Sequence, residues 1–246
     1  MAFCATRPNP APPKVLRICS NLHVFCYGEA MIIQIYETQN AQETRQLEAL
    51  GVDHVGVLVG KGDFPRELDY PATREIFGAL GMARKVALSL SRHLEEVCEV
   101  AAETRPDILH LGTVMEGLHP DDLRVIKQRF PGIALMRTIA VIGEESIGLA
   151  KSYADVADFL LLDTYKAGDN QVGATGETHN WDISRAIAAT VPIPVILAGG
   201  LGPENVAAAI RHVSPAGVDS KTRTDLGTGP QKDMEKVREF VREAGK

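Results

Sequence analysis

The chain has 246 residues, of which 45% are hydrophobic and 24% charged, with a formal net charge of −6. That length suffices for one large domain or two small ones, and the acidic balance excludes a general nucleic-acid binder while leaving room for a local basic pocket. Four cysteines, Cys4, Cys19, Cys26 and Cys98, have neither metal-ligand spacing nor a disulfide framework, and no apolar run has the length of a membrane span, so a reduced, cytoplasmic protein is expected.

Residues 1–30 differ from the rest. They hold prolines at 8, 10, 12 and 13 and three of the four cysteines, without the architecture of a signal peptide. They read as a disordered extension, or as the product of a start placed too early, with Met31 opening the domain. From there strand and helix patterns alternate. The strands are expected at Ile32–Tyr36, His54–Val59, Lys85–Ser91, Asp107–Gly112, Ile133–Thr138, Phe159–Asp163, Pro194–Ala198 and Gly217–Ser220. The helices between and after them are expected at Gln39–Leu50, Pro71–Leu80, His93–Thr104, Pro120–Arg129, Glu144–Tyr153, Asp182–Ala189, Pro203–Val213 and Met234–Ala244. Gly51 is placed to end the first helix, and Pro71, Pro120 and Pro203 to begin theirs. Strict alternation implies parallel strands with right-handed crossovers. Eight such units in residues 31–246 specify an α/β fold, a single-domain (β/α)8 TIM barrel, whose βα loops form the functional face.

On that face Asp163 ends the apolar strand Phe159–Leu162, a position suited to acid–base work or, more simply, to a cap or turn. Gly199 and Gly200 follow strand seven, where backbone amides can approach an anion or merely make a tight turn. Ser220, Lys221 and Thr222 follow strand eight and complete the usual barrel phosphate site. Arg66, after strand two, can clamp a carboxylate or lie solvated on the surface. Gln34 and Tyr36 alternate with Ile33 and Ile35 and should point into the barrel. His110, near the end of strand four, is either a pocket residue or a core histidine. No dinucleotide fingerprint, Walker loop or metal motif is present, so no cofactor and no metal is expected.

These residues carry a resemblance. Leu161-Leu162-Asp163-Thr164, Gly173-Ala174-Thr175-Gly176 leading to Asn180-Trp181, Pro194–Leu201 and Pro203-Glu204-Asn205-Val206 are similar to the phosphoribosylanthranilate isomerases, (β/α)8 enzymes of tryptophan biosynthesis. Thr38, Asn40, Gly51-Val52-Asp53, Phe64-Pro65-Arg66 and Gly217-Val218-Asp219 fit as well. The resemblance covers nearly all of residues 31–246. It implies an Amadori rearrangement of an N-phosphoribosyl arylamine, without cofactor or metal. An acid, matching Asp163, protonates the furanose oxygen. A base then removes the C2′ proton, and the enolamine tautomerises to a ketose. Arg66 matches the arginine that holds the anthranilate end, and Gly176 joins the substrate-binding set.

The sequence departs from the family at the base. Where the family has lysine-isoleucine-cysteine-glycine, this chain has Gln34-Ile35-Tyr36-Glu37, so Tyr36 stands in the cysteine's place, with Glu37 and His110 as substitutes. Strand eight carries Ser220-Lys221-Thr222-Arg223-Thr224 in place of a small phosphate loop. Three readings follow: the family's own isomerase, a paralogue acting on another phosphorylated sugar (with Lys221 open to Schiff-base chemistry), and a phosphate-ligand-binding pseudoenzyme. The partner is a small-molecule phosphosugar, with no nucleic acid and no membrane, on a monomer or homodimer.

Overall fold

The structure is a computed structural model, which describes residues 30–113, 117–164 and 178–245. Residues 1–29 and Gly176 lie outside the described residues, as does nearly all of the loop after strand six. Eight strands close into one parallel barrel in chain order: β1 (Ile32–Ile35), β2 (His54–Leu58), β3 (Arg84–Ser89), β4 (Ile108–Leu111), β5 (Ala134–Ala140), β6 (Phe159–Asp163), β7 (Val195–Leu197) and β8 (Gly217–Ser220). β1 closes on β8 through the pairs Ile32–Gly217, Ile33–Val218, Gln34–Asp219 and Ile35–Ser220. The helices are α1 (Ala41–Ala49), α2 (Tyr70–Gly78), α3 (Leu94–Thr104), α4 (Pro120–Arg129), α5 (Glu145–Ala154), α6 (Trp181–Thr190), α7 (Val206–Val213) and α8 (Met234–Ala244). Among the described residues, no helix is long and apolar enough to cross a membrane.

The period of two along each strand separates two cores. Ile33, Ile35, Val55, Val57, Leu109 and Leu160 join the apolar cluster that also takes in helix residues such as Leu47, Ile76, Ile126 and Phe240. The alternate positions fill the barrel: Phe159 and Ile196 lower down, Gln34, Tyr36, His110 and Asp219 toward the C-terminal mouth. All of these are buried.

Local signals explain the helix starts. Asn40 accepts from Glu43 N–H (2.9 Å) and Asp69 from Ala72 N–H (2.9 Å), each satisfying a donor that the first turn leaves unpaired. Gly51 takes φ 92° past the end of α1, as expected of a residue that turns left-handed.

Several expected boundaries shift by one to three residues, and two of the shifts have a clear physical reason. β5 continues to Ala140, because Ile139 and Ala140 still pair with Leu162 and Asp163. The seventh helix does not begin at Pro203. The side chain of Asn205 turns back, accepting from Gly202 N–H (2.9 Å) and donating to Gly200 O (2.9 Å), and regular helix starts at Val206. That turn braces the glycine pair after β7.

Candidate active site

The C-terminal ends of β6, β7 and β8 enclose a small cleft lined by Asp163, Gly199, Gly200, Ser220, Lys221 and Thr222. Six of the expected site residues therefore share one wall. Gly199 and Gly200 have φ 81° and 60°. At Gly199 a Cβ would lie 2.6 Å from Thr164 Oγ1 and 2.9 Å from His179 Nδ1. Glycine is required there both for its backbone freedom and for the space it leaves. The Ser220 hydroxyl donates to Leu201 O (2.7 Å), so this side chain ties β8 to the β7 loop. A short 3-10 turn, Thr222–Thr224, follows β8.

Two carboxyls face this cleft. Asp163 accepts from its neighbour's Thr164 N–H (2.7 Å). Burial pushes its carboxyl up to about 7, against the opposing pull of that N–H and of Lys221. Asp219, which shares the cleft, was read in the sequence only as part of strand eight. Burial, then the charge of Asp163, push its carboxyl well above the ordinary range, while Gln34 and Lys232 act the other way. The Gln34 amide donates to Asp219 Oδ1 (3.2 Å), and its own carbonyl oxygen is 3.1 Å from His54 Nδ1. The signal for Asp219 was available in the alternation of strand eight: Gly217 and Asp219 face inward, Val218 outward.

Tyr36 and Gln34 share the inner face, as expected. The ring of Tyr36 occupies the space above Gly56, where a Cβ would come within 2.3 Å of it. Its hydroxyl is hydrogen-bonded to His110 Nδ1, and His110 Nε2 lies 2.6 Å from Thr138 Oγ1. Burial, then Asp219 and Asp163, raise the phenol well above its usual value. His110 is pushed down to about 3 by burial and then by Arg137. The pair is therefore neutral: the phenol donates to Nδ1, and Nε2–H donates to Thr138.

Arg66 is only partly exposed and is held in an ionic cluster. Its Nη1 meets Asp225 Oδ2 (2.8 Å) and Glu37 Oε2 (3.3 Å), and Nη2 donates to Gly229 O (3.1 Å). Glu37 Oε1 is 2.8 Å from Lys221 Nζ, and the buried Lys232 ammonium pairs with the other oxygen of Asp225. This ionic cluster joins the loops after β1, β2 and β8. The sequence reading did not foresee it, because Arg66 and Asp225 are 159 residues apart.

The family model for N-(5'-phosphoribosyl)anthranilate (PRA) isomerase matches residues 74–243. An N-(5'-phosphoribosyl)anthranilate isomerase of Haloferax volcanii is 36% identical over 197 residues, covering 79% of this chain and 84% of that one. One from Methanocella arvoryzae is 35% identical over 211 residues, covering 85% and 95%. The solved N-(5'-phosphoribosyl)anthranilate isomerase of Pyrococcus furiosus superposes with a TM-score of 0.71 at 27% identity, covering 87% of this chain and 98% of that one. The closed barrel and these matches together establish that the chain belongs to the N-(5'-phosphoribosyl)anthranilate isomerase family.

Proposed function

We propose that this protein is an N-(5'-phosphoribosyl)anthranilate isomerase of tryptophan biosynthesis and that its proton transfers run between Asp163 and Asp219. The observation that carries this reading is the pair of raised carboxyls in one cleft at the barrel mouth, beside the Gly199–Gly200 turn. Two like charges in a shared site resist ionising together, so near neutral pH the pair holds a proton between them. The shared proton rests mainly on Asp219, the more strongly raised of the two, and the reactive form is the one in which it has moved to Asp163, leaving the protonated and the ionised carboxyl that this rearrangement uses. Asp163 delivers its proton to the furanose ring oxygen, and the ring opens to the Schiff base. Asp219 takes the C2′ proton, and the enolamine tautomerises to the 1-deoxy ketose.

The base role moves to Asp219 because the three groups expected to replace the cysteine are all engaged. Deprotonating Tyr36 works against burial and two neighbouring carboxylates. Both ring nitrogens of His110 are occupied, and its low pKa makes it a weak base. Both oxygens of Glu37 are paired with cations. The phosphate fits the turn at Gly199 and Gly200 with the backbone of Ser220 and the backbone and hydroxyl of Thr222. Arg66 takes the aryl carboxylate. Residues 31–246 form the working domain.

The test is a fluorescence assay of the purified full chain with phosphoribosylanthranilate, whose anthranilate signal is lost on rearrangement. Turnover that disappears in both Asp163→Asn and Asp219→Asn supports the assignment. Turnover in wild type that survives in Asp219→Asn returns the base to Tyr36, Glu37 or His110. Folded wild-type protein without turnover would move the function to another phosphorylated sugar or to ligand binding alone.

A further inference from the structure

Glu37 leaves β1 in the left-handed region, at φ 59°, although the chain is tied on both sides of it. Tyr36 N–H donates to Ser220 O (3.1 Å), and Thr38 N–H donates to Gly56 O (3.2 Å). A side chain on a backbone so constrained has little choice of direction. Its carboxylate reaches Lys221 Nζ with one oxygen (2.8 Å) and Arg66 Nη1 with the other (3.3 Å). The side chain of Glu37 is 7% exposed, while those of Arg66 and Lys221 are 22% exposed each. The carboxylate thus lies beneath two cations that reach the solvent at the mouth of the barrel.

The arrangement is held from two directions. Gln39 donates through Nε2 to Glu37 O (3.2 Å) and Arg66 O (3.4 Å). Arg66, itself left-handed at φ 69°, has a shorter contact to Asp225 (2.8 Å) and a bond to Gly229 O (3.1 Å) that do not involve Glu37. Losing the longer Glu37 contact should therefore leave the guanidinium in place, still held by Asp225 and Gly229 O.

We propose that Glu37 is a specificity-determining residue, an internal counter-ion that competes with the ligand's aryl carboxylate for Arg66 and Lys221. The inference rests on the isomerase reading and adds two assignments to it. Lys221 belongs with Arg66 at the carboxylate end of the ligand, because one carboxylate spans both cations. The protein's own anion sets how much that end contributes to affinity. A lone small anion must displace a tethered carboxylate already in contact with both cations. A phosphoribosyl arylamine does so with the help of its other end.

The experiment is isothermal titration calorimetry on the full-length protein with two ligands. One is 1-(2-carboxyphenylamino)-1-deoxyribulose 5-phosphate, and the other is the same compound lacking the carboxylate. Wild type, Glu37→Gln and Glu37→Gly are compared, with folding checked by circular dichroism. The glycine variant suits the left-handed backbone and guards against loss of fold. Both variants should bind the carboxylated ligand about tenfold tighter, roughly the gain from releasing one charge-assisted contact, with little change for the other ligand. Equal tightening of both ligands, no change, or weaker binding of the carboxylated one overturns the proposal. Wild-type turnover in the fluorescence assay combined with any of these results overturns the Glu37 role alone. If no protein binds either ligand and wild type does not turn over, the isomerase reading falls with it.

Discussion

The carboxyl of Asp219 sits in the field of Asp163, its neighbour across β7 on the inner wall of the barrel, and after burial that charge is the main reason it holds its proton. Each residue therefore sets the conditions under which the other works. Replacing either with asparagine should lower kcat/KM by about two to four orders of magnitude, the range usual for a lost general acid or base. Asp163→Asn should also bring the titration of Asp219 down toward the ordinary carboxylate range, visible by carbon NMR of the labelled carboxyl. An unmoved Asp219 would mean that the two are not coupled.

The pH dependence follows from Asp163 at about 7. Below that pH both carboxyls are protonated and no base is available, so kcat/KM should rise as pH rises through about 7 and fall only where the remaining proton is lost at higher pH, and a pH–rate profile checks it. Stability follows the same titration. The folded state binds this proton more tightly than the unfolded chain, so the contribution is present in acid and is lost as pH rises toward 7. Asparagine does not titrate. The melting temperature of Asp163→Asn relative to wild type should therefore rise between pH 4 and pH 7 and level off above.

Tyr36→Phe separates a structural phenol from a catalytic one. It leaves His110 Nδ1 buried without its partner, at a cost of about 1–3 kcal/mol, and denaturant melts should show the loss. Turnover should change only a few-fold. A drop of several orders of magnitude would restore Tyr36 to the chemistry. Tyr36→Cys, with a thiol in place of the phenol, should fold less stably, since it leaves a void over Gly56. A gain in turnover there would mean that the cysteine geometry of the family persists.

Arg66→Ala should raise KM for the carboxylated substrate by about ten- to a hundredfold, with a smaller effect on kcat. An unchanged KM would leave Arg66 a purely structural partner of Asp225.

Gly199→Ala meets two obstacles, the positive φ and the close approach of Thr164 and His179. The left-handed backbone alone costs about 1–2 kcal/mol. A melting temperature lower by several degrees is expected, together with weaker phosphate binding in the titration calorimeter.

The barrel was legible because its signals are local. Apolar runs such as Phe159–Leu162, the glycine after α1 and the proline that opens α4 each act within a few residues. Local periodicity also placed Gln34 and Tyr36 on the inner face. The start of α7 was missed because the Asn205 side chain competes with the helix for its first turn, a choice made by hydrogen-bond geometry. Arg66 was found, but its partners were not. Glu37 and Asp225 come to it from opposite ends of the chain, and only the closed barrel brings those ends together. Asp219 was overlooked for a related reason: its importance comes from facing Asp163 within the closed barrel.

The pairing of β1 with β8 has a consequence for synthesis. Glu37 follows β1, whereas Lys221, Asp225 and Lys232 follow β8, so the ionic cluster cannot assemble until the eighth strand has left the ribosome. A chain stopped before Gly217 leaves β1 with one open edge and Glu37 without its lysine. Function in this protein is thus a property of the finished ring, and nascent fragments should depend on chaperones until the last strand closes it.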